Sequence, residues 1–375
     1  KGFSLVEMLA AVTVFALLAL MVSQLVTGAS LSIVSGRKAI DADGQARFIF
    51  SRMAQDFNRM LKRSDVDMIF AKEDNNESDK MFFYSEVAAA YGEDVVAKVK
   101  KGDPDPRNPV SLVGYRVDTD PTNNDPGRKL LQLERLGLGL TWDESSLGSG
   151  VVFLVYDPTT GKEVEGSTLD THGWRNQAGQ VAQDLIGSPP KYLGPDSKSS
   201  PEYHVVGEQV FRFEYCFLLN SGTYSNYPVK KVNNQNVEKN GAPGTDTGNV
   251  GDRWFDTQSG RGYVCQSKDG DQRIWRSAGL RDVSAIVVAI AILDPSSRKL
   301  VNDMTAMAGL LEDSVENDLN GQRPDQAVLM EQKWKETVSD QNFAANAGIP
   351  KVAAGQVKIY QRYFYLNNPP AQDSQ

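Results

Sequence analysis

Lys1-Gly2-Phe3-Ser4-Leu5-Val6-Glu7-Met8-Leu9-Ala10, with the apolar run behind it, is the stretch that decides the reading of this chain. From Leu5 to Val26 the only polar residues are Glu7, Thr13, Ser23 and Gln24. About 20 apolar residues cross a bilayer as a helix, so the run is long enough to span one. Glu7 is the anomaly. A carboxylate in hydrocarbon costs about 3 kcal/mol on insertion scales, which predicts a partner for it. An ordinary secretory signal has a core of only about 7–15 apolar residues and normally carries no carboxylate. A plain single-pass anchor needs neither Gly2 nor Glu7 where they stand.

Residues 3–63 contain no proline and predict one long helix, with 3–27 as the membrane span. Beyond the span the pattern turns amphipathic. Phe50, Met53, Phe57 and Met60/Leu61 recur at helical spacing, with Arg47, Arg52, Asp56, Arg59 and Arg63 among them. The apolar stripe predicts a surface where a partner's stem buries side chains. The charges read as a solvated face whose ion pairs contribute about 0.3–0.5 kcal/mol each. Gly28, Gly36 and Gly44 loosen the helix at a cost of about 1 kcal/mol each against alanine.

From residue 64 to 375 the chain reads as a mainly-β head. Residues 81–84 form a short apolar run. Residues 110–117 and 129–135 read as paired strands around the turn-rich 118–127. Residues 151–156 predict a buried strand, and 157–203 a long loop excursion. Along 203–219, Phe211, Phe213, Tyr215 and Phe217 fall on one face by period two. Arg212, Glu214 and Cys216 fall on the other, which is read as exposed or lying under a loop. Residues 282–293 are almost wholly apolar and predict a central strand. Residues 326–338 predict a polar helix, and 357–366 a closing strand. Residues 233–277 read as an insertion containing a hairpin, with Trp254, Tyr263 and Trp275 packed across it. The fold class is therefore α+β, a long N-terminal helix carrying a large antiparallel head.

The whole chain carries −8 at pH 7. Residues 1–65 hold eight Lys/Arg against five Asp/Glu, a balance of +3 that leaves −11 for the remainder. An acidic head argues against a nucleic-acid surface. His172 and His204 are the only histidines, and neither has a cysteine or carboxylate at metal-ligand spacing, so no metal site is read. Asp118, Asp120, Asn123, Asn124 and Asp125 crowd one loop with calcium-type oxygens but match no full EF-hand. No phosphate loop, nucleophile elbow or zinc-protease motif occurs. No cofactor and no catalytic residues are read, and the chain is not read as an enzyme. Cys216 and Cys265 are the only cysteines. Their placement suggests a disulfide clamping the insertion to the long aromatic strand, in a compartment that favours oxidation.

The N-terminal register resembles the signal of type IV pilins and type II secretion pseudopilins. Lys1-Gly2 stands where the basic leader ends and Phe3 where the mature chain begins. Glu7 is the fifth residue counted from Phe3. The resemblance implies cleavage between Gly2 and Phe3 by a prepilin peptidase, N-methylation of Phe3, and pairing of Glu7 with a neighbour's amine inside the filament. It implies partners among other pseudopilins or minor pilins, met through the helix and through Phe50, Met53, Phe57 and Met60. It places a single-pass anchor in the inner membrane and the head in the periplasm or at a filament tip. The chain starts at Lys1, from which a longer leader is expected; residues 1–2 are read as its end. The 52–60 segment, with the strands at 110–135, is similar to J-type minor pseudopilins. A weaker likeness runs to protein C of Verru_Chthon cassettes. The family implies a subunit that starts or caps a filament. Gly-Asp-x-Trp-x-Asp-Thr-x-x-Gly at 251–260 resembles hairpins of phage fibres and surface adhesins, and it carries the alternative of a displayed adhesin.

Overall fold

In a computed structural model of the chain, the described residues are 4–62, 68–72, 77–90, 107, 108, 110–119, 130–139, 203–229, 236–239, 243, 244, 246, 248–256, 261–311 and 330–366. The architecture is α+β. The chain divides into two compact units, residues 1–45 and 46–375.

The first unit belongs to helix α1 (Leu5–Asn58). Its large apolar side chains from Leu5 to Val26 are exposed, and the helix is long and apolar enough to cross a membrane. Leucine, alanine and methionine favour the helix, and beyond its first turn the intrahelical ladder satisfies the backbone groups a bilayer would leave unpaired.

The second unit holds the last turns of α1 and the head. Strands β1 (Met68–Ala71), β2 (Lys80–Ser85), β3 (Ala89–Ala90), β4 (Arg107–Asn108), β5 (Ser111–Thr119), β6 (Leu131–Gly139) and β7 (Tyr203–Gly207) come first. A five-stranded antiparallel sheet runs β1-β2-β5-β6-β7. The strands expected at 110–117 and 129–135 are β5 and β6, with Tyr115 opposite Arg135 and Arg116 opposite Glu134. Gly114 lets β5 pass the Phe82 ring, which a Cβ there would strike.

Next come β8 (Val210–Leu219), β9 (Tyr224–Ser225) and the strands of the insertion, β10 (Asn236–Lys239), β11 (Arg253–Asp256), β12 (Arg261–Asp269) and β13 (Gln272–Ser277). They are followed by β14 (Val283–Leu293), α2 (Pro295–Arg298), α3 (Met304–Gly309), α4 (Met330–Ser339), α5 (Phe343–Asn346), α6 (Lys351–Ala354) and β15 (Val357–Tyr365). The second sheet runs β15-β14-β8-β9, so the apolar 282–293 segment is central, as read. The insertion strands form their own sheet in the order β10-β11-β12-β13.

Packing explains the order. Tyr215 and Phe217 meet Phe70 of β1 edge-on, and Phe213 stacks on Tyr115 of β5, so two sheets share an aromatic layer. The other side of the second sheet lies against α3 to α6, in one cluster with Cys216, Val287, Met304, Met307, Trp334 and Phe343.

Several expectations need correction. The 203–219 run is two strands in two sheets. It breaks at Glu208-Gln209, where the chain leaves β6 and joins β14. The Arg212, Glu214 and Cys216 side is buried, not exposed: Cys216 packs in the cluster with the helices, and Lys72, just after β1, stands 3.6 Å from Glu214. Arg212 and Glu214 face each other there as an ion pair at 2.8 Å. The helix expected over 3–63 ends at Asn58, because Met60 bridges Ser85 and Leu61 N–H donates to the Tyr84 carbonyl. The boundary between compact units falls at 45/46, not 63/64, because the last turns of α1 lie in the head's core. The strand expected at 151–156 lies outside the described residues, as do residues 157–202 of the excursion.

Candidate functional site

Ser4 and Glu7 form a capping box at the start of α1. Ser4 N–H donates to Glu7 Oε2 at 2.9 Å, and Glu7 N–H donates to Ser4 Oγ at 3.2 Å. The first N–H groups of a helix have no intrahelical partner, and this reciprocal pair satisfies two donors. The exposed Glu7 carboxylate thus has a local partner before any neighbour arrives. The signal for the box is Ser4-Leu5-Val6-Glu7 ahead of an apolar run, and a reading centred on Glu7's charge passes over Ser4. Gly2 and Phe3 lie outside the described residues.

In the second unit, Phe50, Met53, Phe57 and Met60 are not a free assembly stripe. All four are buried. Phe57 stacks on Phe83 of β2 at 5.2 Å and tilts against Phe364 of β15 at 5.0 Å, while Phe50 meets Phe364 at 6.0 Å. Helical spacing identifies an apolar face correctly, but the covering surface is the chain's own head.

Asp56, which the sequence places on a solvated face, is fully buried, at 0% exposure. Arg135 clasps it bidentately, with Nε 2.7 Å from Oδ2 and Nη2 2.8 Å from Oδ1. Tyr115 Oη donates to Oδ2, and Arg52 Nε stands 4.0 Å away. Ser85 Oγ donates to the Asp56 carbonyl at 2.9 Å. Burial and the Asp56 charge push the Tyr115 hydroxyl well above its ordinary pKa. Burial lowers the Arg135 pKa, but its hydrogen bond and charge contact with Asp56 outweigh that and raise it. The arrangement ties α1 to β5 and β6. Sequence reasoning misses Arg135 because Gln-Leu-Glu-Arg-Leu in a strand does not say which charge turns inward.

The expected Cys216–Cys265 disulfide is not formed. Both are buried thiols, on β8 and β12 of different sheets. Burial raises the Cys265 thiol. Trp254 and Tyr263 are opposed across β11 and β12, as the hairpin reading requires, and Trp254 meets Trp275 at 6.2 Å. Trp254 and Tyr263 are both buried, so they offer no open aromatic patch. The turn expected at 257–260 lies outside the described residues. Asp118 pairs with Arg116 at 3.2 Å, while Asp120, Asn123, Asn124 and Asp125 lie outside the described residues. No cluster of metal-ligating side chains occurs among the described residues.

Among known families, the prokaryotic N-terminal methylation motif matches residues 1–23. No curated protein and no solved structure matches the chain. The motif supports a type IV pilin-like filament subunit, which implies processing by a prepilin peptidase and assembly with other pilins. Together with the apolar helix it is consistent with an inner-membrane anchor.

Proposed function

We propose that this chain is a minor pseudopilin, or minor pilin-like subunit, of the J type. It starts or caps a filament anchored in the inner membrane, in a secretion or pilus system of the type II/type IV kind. The head stands on the periplasmic side of a single span. The observation that carries the reading is one register: Lys1-Gly2-Phe3, Glu7 on the first turn of α1, and an unbroken apolar helix behind it. Binding and assembly are then the activity. A head carrying −11 from residue 66 onward would repel copies of itself within a Debye length of about 8 Å, which favours low copy number at an end of the filament. The adhesin alternative draws less support, because Trp254 and Tyr263 of its aromatic hairpin are buried and Trp275 is half-buried. The weaker likeness to protein C of Verru_Chthon cassettes adds no mechanism.

The test is N-terminal sequencing and quantification of the chain in purified filaments. The expected result is an N-methylated Phe3 terminus, blocked from forming by Gly2→Val, and a copy number far below the major subunit's. An N-terminus near Ser30, or a stoichiometry equal to the shaft's, refutes it.

A further inference from the structure

Lys72 follows β1 and Asp79 precedes β2, one position beyond the paired Ala71 and Lys80. Their side chains meet as an ion pair, with Asp79 wholly buried and only 14% of the Lys72 side chain exposed. An ammonium has three N–H donors, and three acceptors surround this one. They are Asp79 Oδ2, the Tyr215 carbonyl at 2.7 Å and, farther off, Glu214 Oε2 at 3.6 Å. The Tyr215 ring packs against the same nitrogen, its centroid 4.7 Å away. Asp79 is fixed from two sides. Its N–H donates to the Phe213 carbonyl at 3.1 Å, and its Oδ2 accepts from the Tyr215 N–H at 3.2 Å. Glu214 is also wholly buried, and Arg212 stands 2.8 Å from its other oxygen, Oε1. An amine, a carboxyl and a second carboxyl able to carry protons between them therefore share one buried site walled by an aromatic ring.

We infer that Lys72 and Asp79 condense into an intramolecular isopeptide bond, with Glu214 as the proton carrier. Glu214 takes one proton from the Lys72 ammonium and passes it to Asp79, which leaves a neutral amine beside a neutral carboxyl. The amine lone pair attacks Asp79 Cγ, and the Nζ–Cγ bond forms. A second proton leaves Nζ by way of Glu214 and joins the departing hydroxyl as the Cγ–O bond breaks. One amide and one water result, and no oxidant, reductant or co-reactant enters. The Tyr215 N–H polarises the carboxyl under attack. The Tyr215 carbonyl accepts from the one N–H that the new amide keeps. Groups held in contact react as though at about 10⁵–10⁸ M, an advantage that a free amine and a free acid lack. Burial sets the direction, because an ion pair out of water carries a desolvation cost that a neutral amide does not. One cation and one anion vanish together, so Arg212 and Glu214 remain as a matched pair. Arg212 is a positioning residue, since it holds Glu214 without touching the reacting atoms. The product closes the chain from 72 to 79 into a covalent ring against β8. It is one self-modification per chain, without turnover, and it does not depend on the filament-subunit reading.

The test is peptide mapping of the purified full-length chain by mass spectrometry after denaturation. Trypsin cuts after Arg63, Lys72 and Lys80, but not after a lysine whose amine is acylated. The expected wild-type product is therefore residues 64–80 as one peptide, lighter than its sequence mass by one water. Further cleavage after Glu73 and Glu77 should release residues 74–77 and leave 64–73 joined to 78–80. Lys72→Arg should restore the cut after position 72 and the full mass. In Glu214→Gln the joined fraction, followed at intervals after synthesis, should rise about a hundredfold more slowly. Separate wild-type peptides 64–72 and 73–80 of unaltered mass overturn the inference, and that result needs no variant to fold. Loss of water with fragments that part after Glu73, as a succinimide gives, overturns it too. So does a bond from Lys72 to Glu214, or a Glu214→Gln chain with a wild-type melting transition that joins at the wild-type rate.

Discussion

Replacing Asp56 by asparagine keeps the shape of the side chain and removes the charge that Arg135 clasps. Asp56 is wholly buried and Arg135 nearly so, and two hydrogen bonds of 2.7 and 2.8 Å join them. The variant leaves an uncompensated guanidinium inside the protein, and breaking a buried pair on one side costs about 3–5 kcal/mol. The new amide oxygen can still accept from Tyr115, which places the estimate at the lower end. At roughly 2.1 cal/mol/K per residue over the unit of residues 46–375, that corresponds to a fall in Tm of about 4–5 °C. Differential scanning calorimetry of the detergent-solubilised chain reads the shift. The double variant Asp56→Leu with Arg135→Leu removes both charges and should recover much of the loss, since apolar replacement of a buried pair is often neutral. A single variant within about 1 °C of wild type refutes the assignment, as does a double variant less stable than the two single losses summed.

Phe57→Asp buries a charge between Phe83 and Phe364, so the head should fail to fold rather than merely lose a partner; a wild-type melting profile would show the ring is not in the core. Glu7→Ala should leave membrane insertion intact and, on the proposed filament-subunit reading, lower incorporation into filaments, since a neighbour's amine would lose its partner at a cost of about 3–5 kcal/mol; wild-type incorporation, measured by immunoblot of sheared filaments, argues against that role. Tyr115 is held neutral in the folded state well above pH 10, while the unfolded tyrosine ionises near pH 10. Above about pH 10 the unfolded state binds fewer protons, so this group's contribution is full below pH 10 and is lost as pH rises. The urea midpoint of the wild type should therefore converge on that of Tyr115→Phe between about pH 9.5 and 11; a gap that stays constant over that range rejects the coupling.

The elements that repeat with a clear period are readable in advance. The helix through Asn58, the β5–β6 pair, the central β14 and the closing β15 all announce themselves by spacing. What spacing cannot give is the identity of the covering surface. Phe50, Met53 and Phe57 look the same on paper whether a partner or the chain's own sheets bury them. Alternation assigns Arg212 and Glu214 to a face that is exposed or lies under a loop because charges usually stand there, and both are wholly buried as a pair, with Lys72 beside Glu214. Gly207 marks the break in 203–219, since a Cβ there would press on Val210, Ile49 and Leu133. The alternating aromatics beyond it draw the strand straight through. At the N-terminus the register of Gly2, Phe3 and Glu7 is legible, and the capping partner Ser4 stands in the same six residues.

The contact of Phe50 and Phe57 with Phe364 sets a timetable for synthesis. The stem leaves the ribosome before the head, and its core partner is on β15, about 300 positions later. At about 5–20 residues per second the apolar side of those turns waits roughly 15–60 s for its cover. Pairing across such a separation is slow in its own right. In that interval the nascent head carries an open aromatic groove, so a holding chaperone in the compartment where the head matures has a defined target, and a chain stopped before β15 keeps that groove exposed for good.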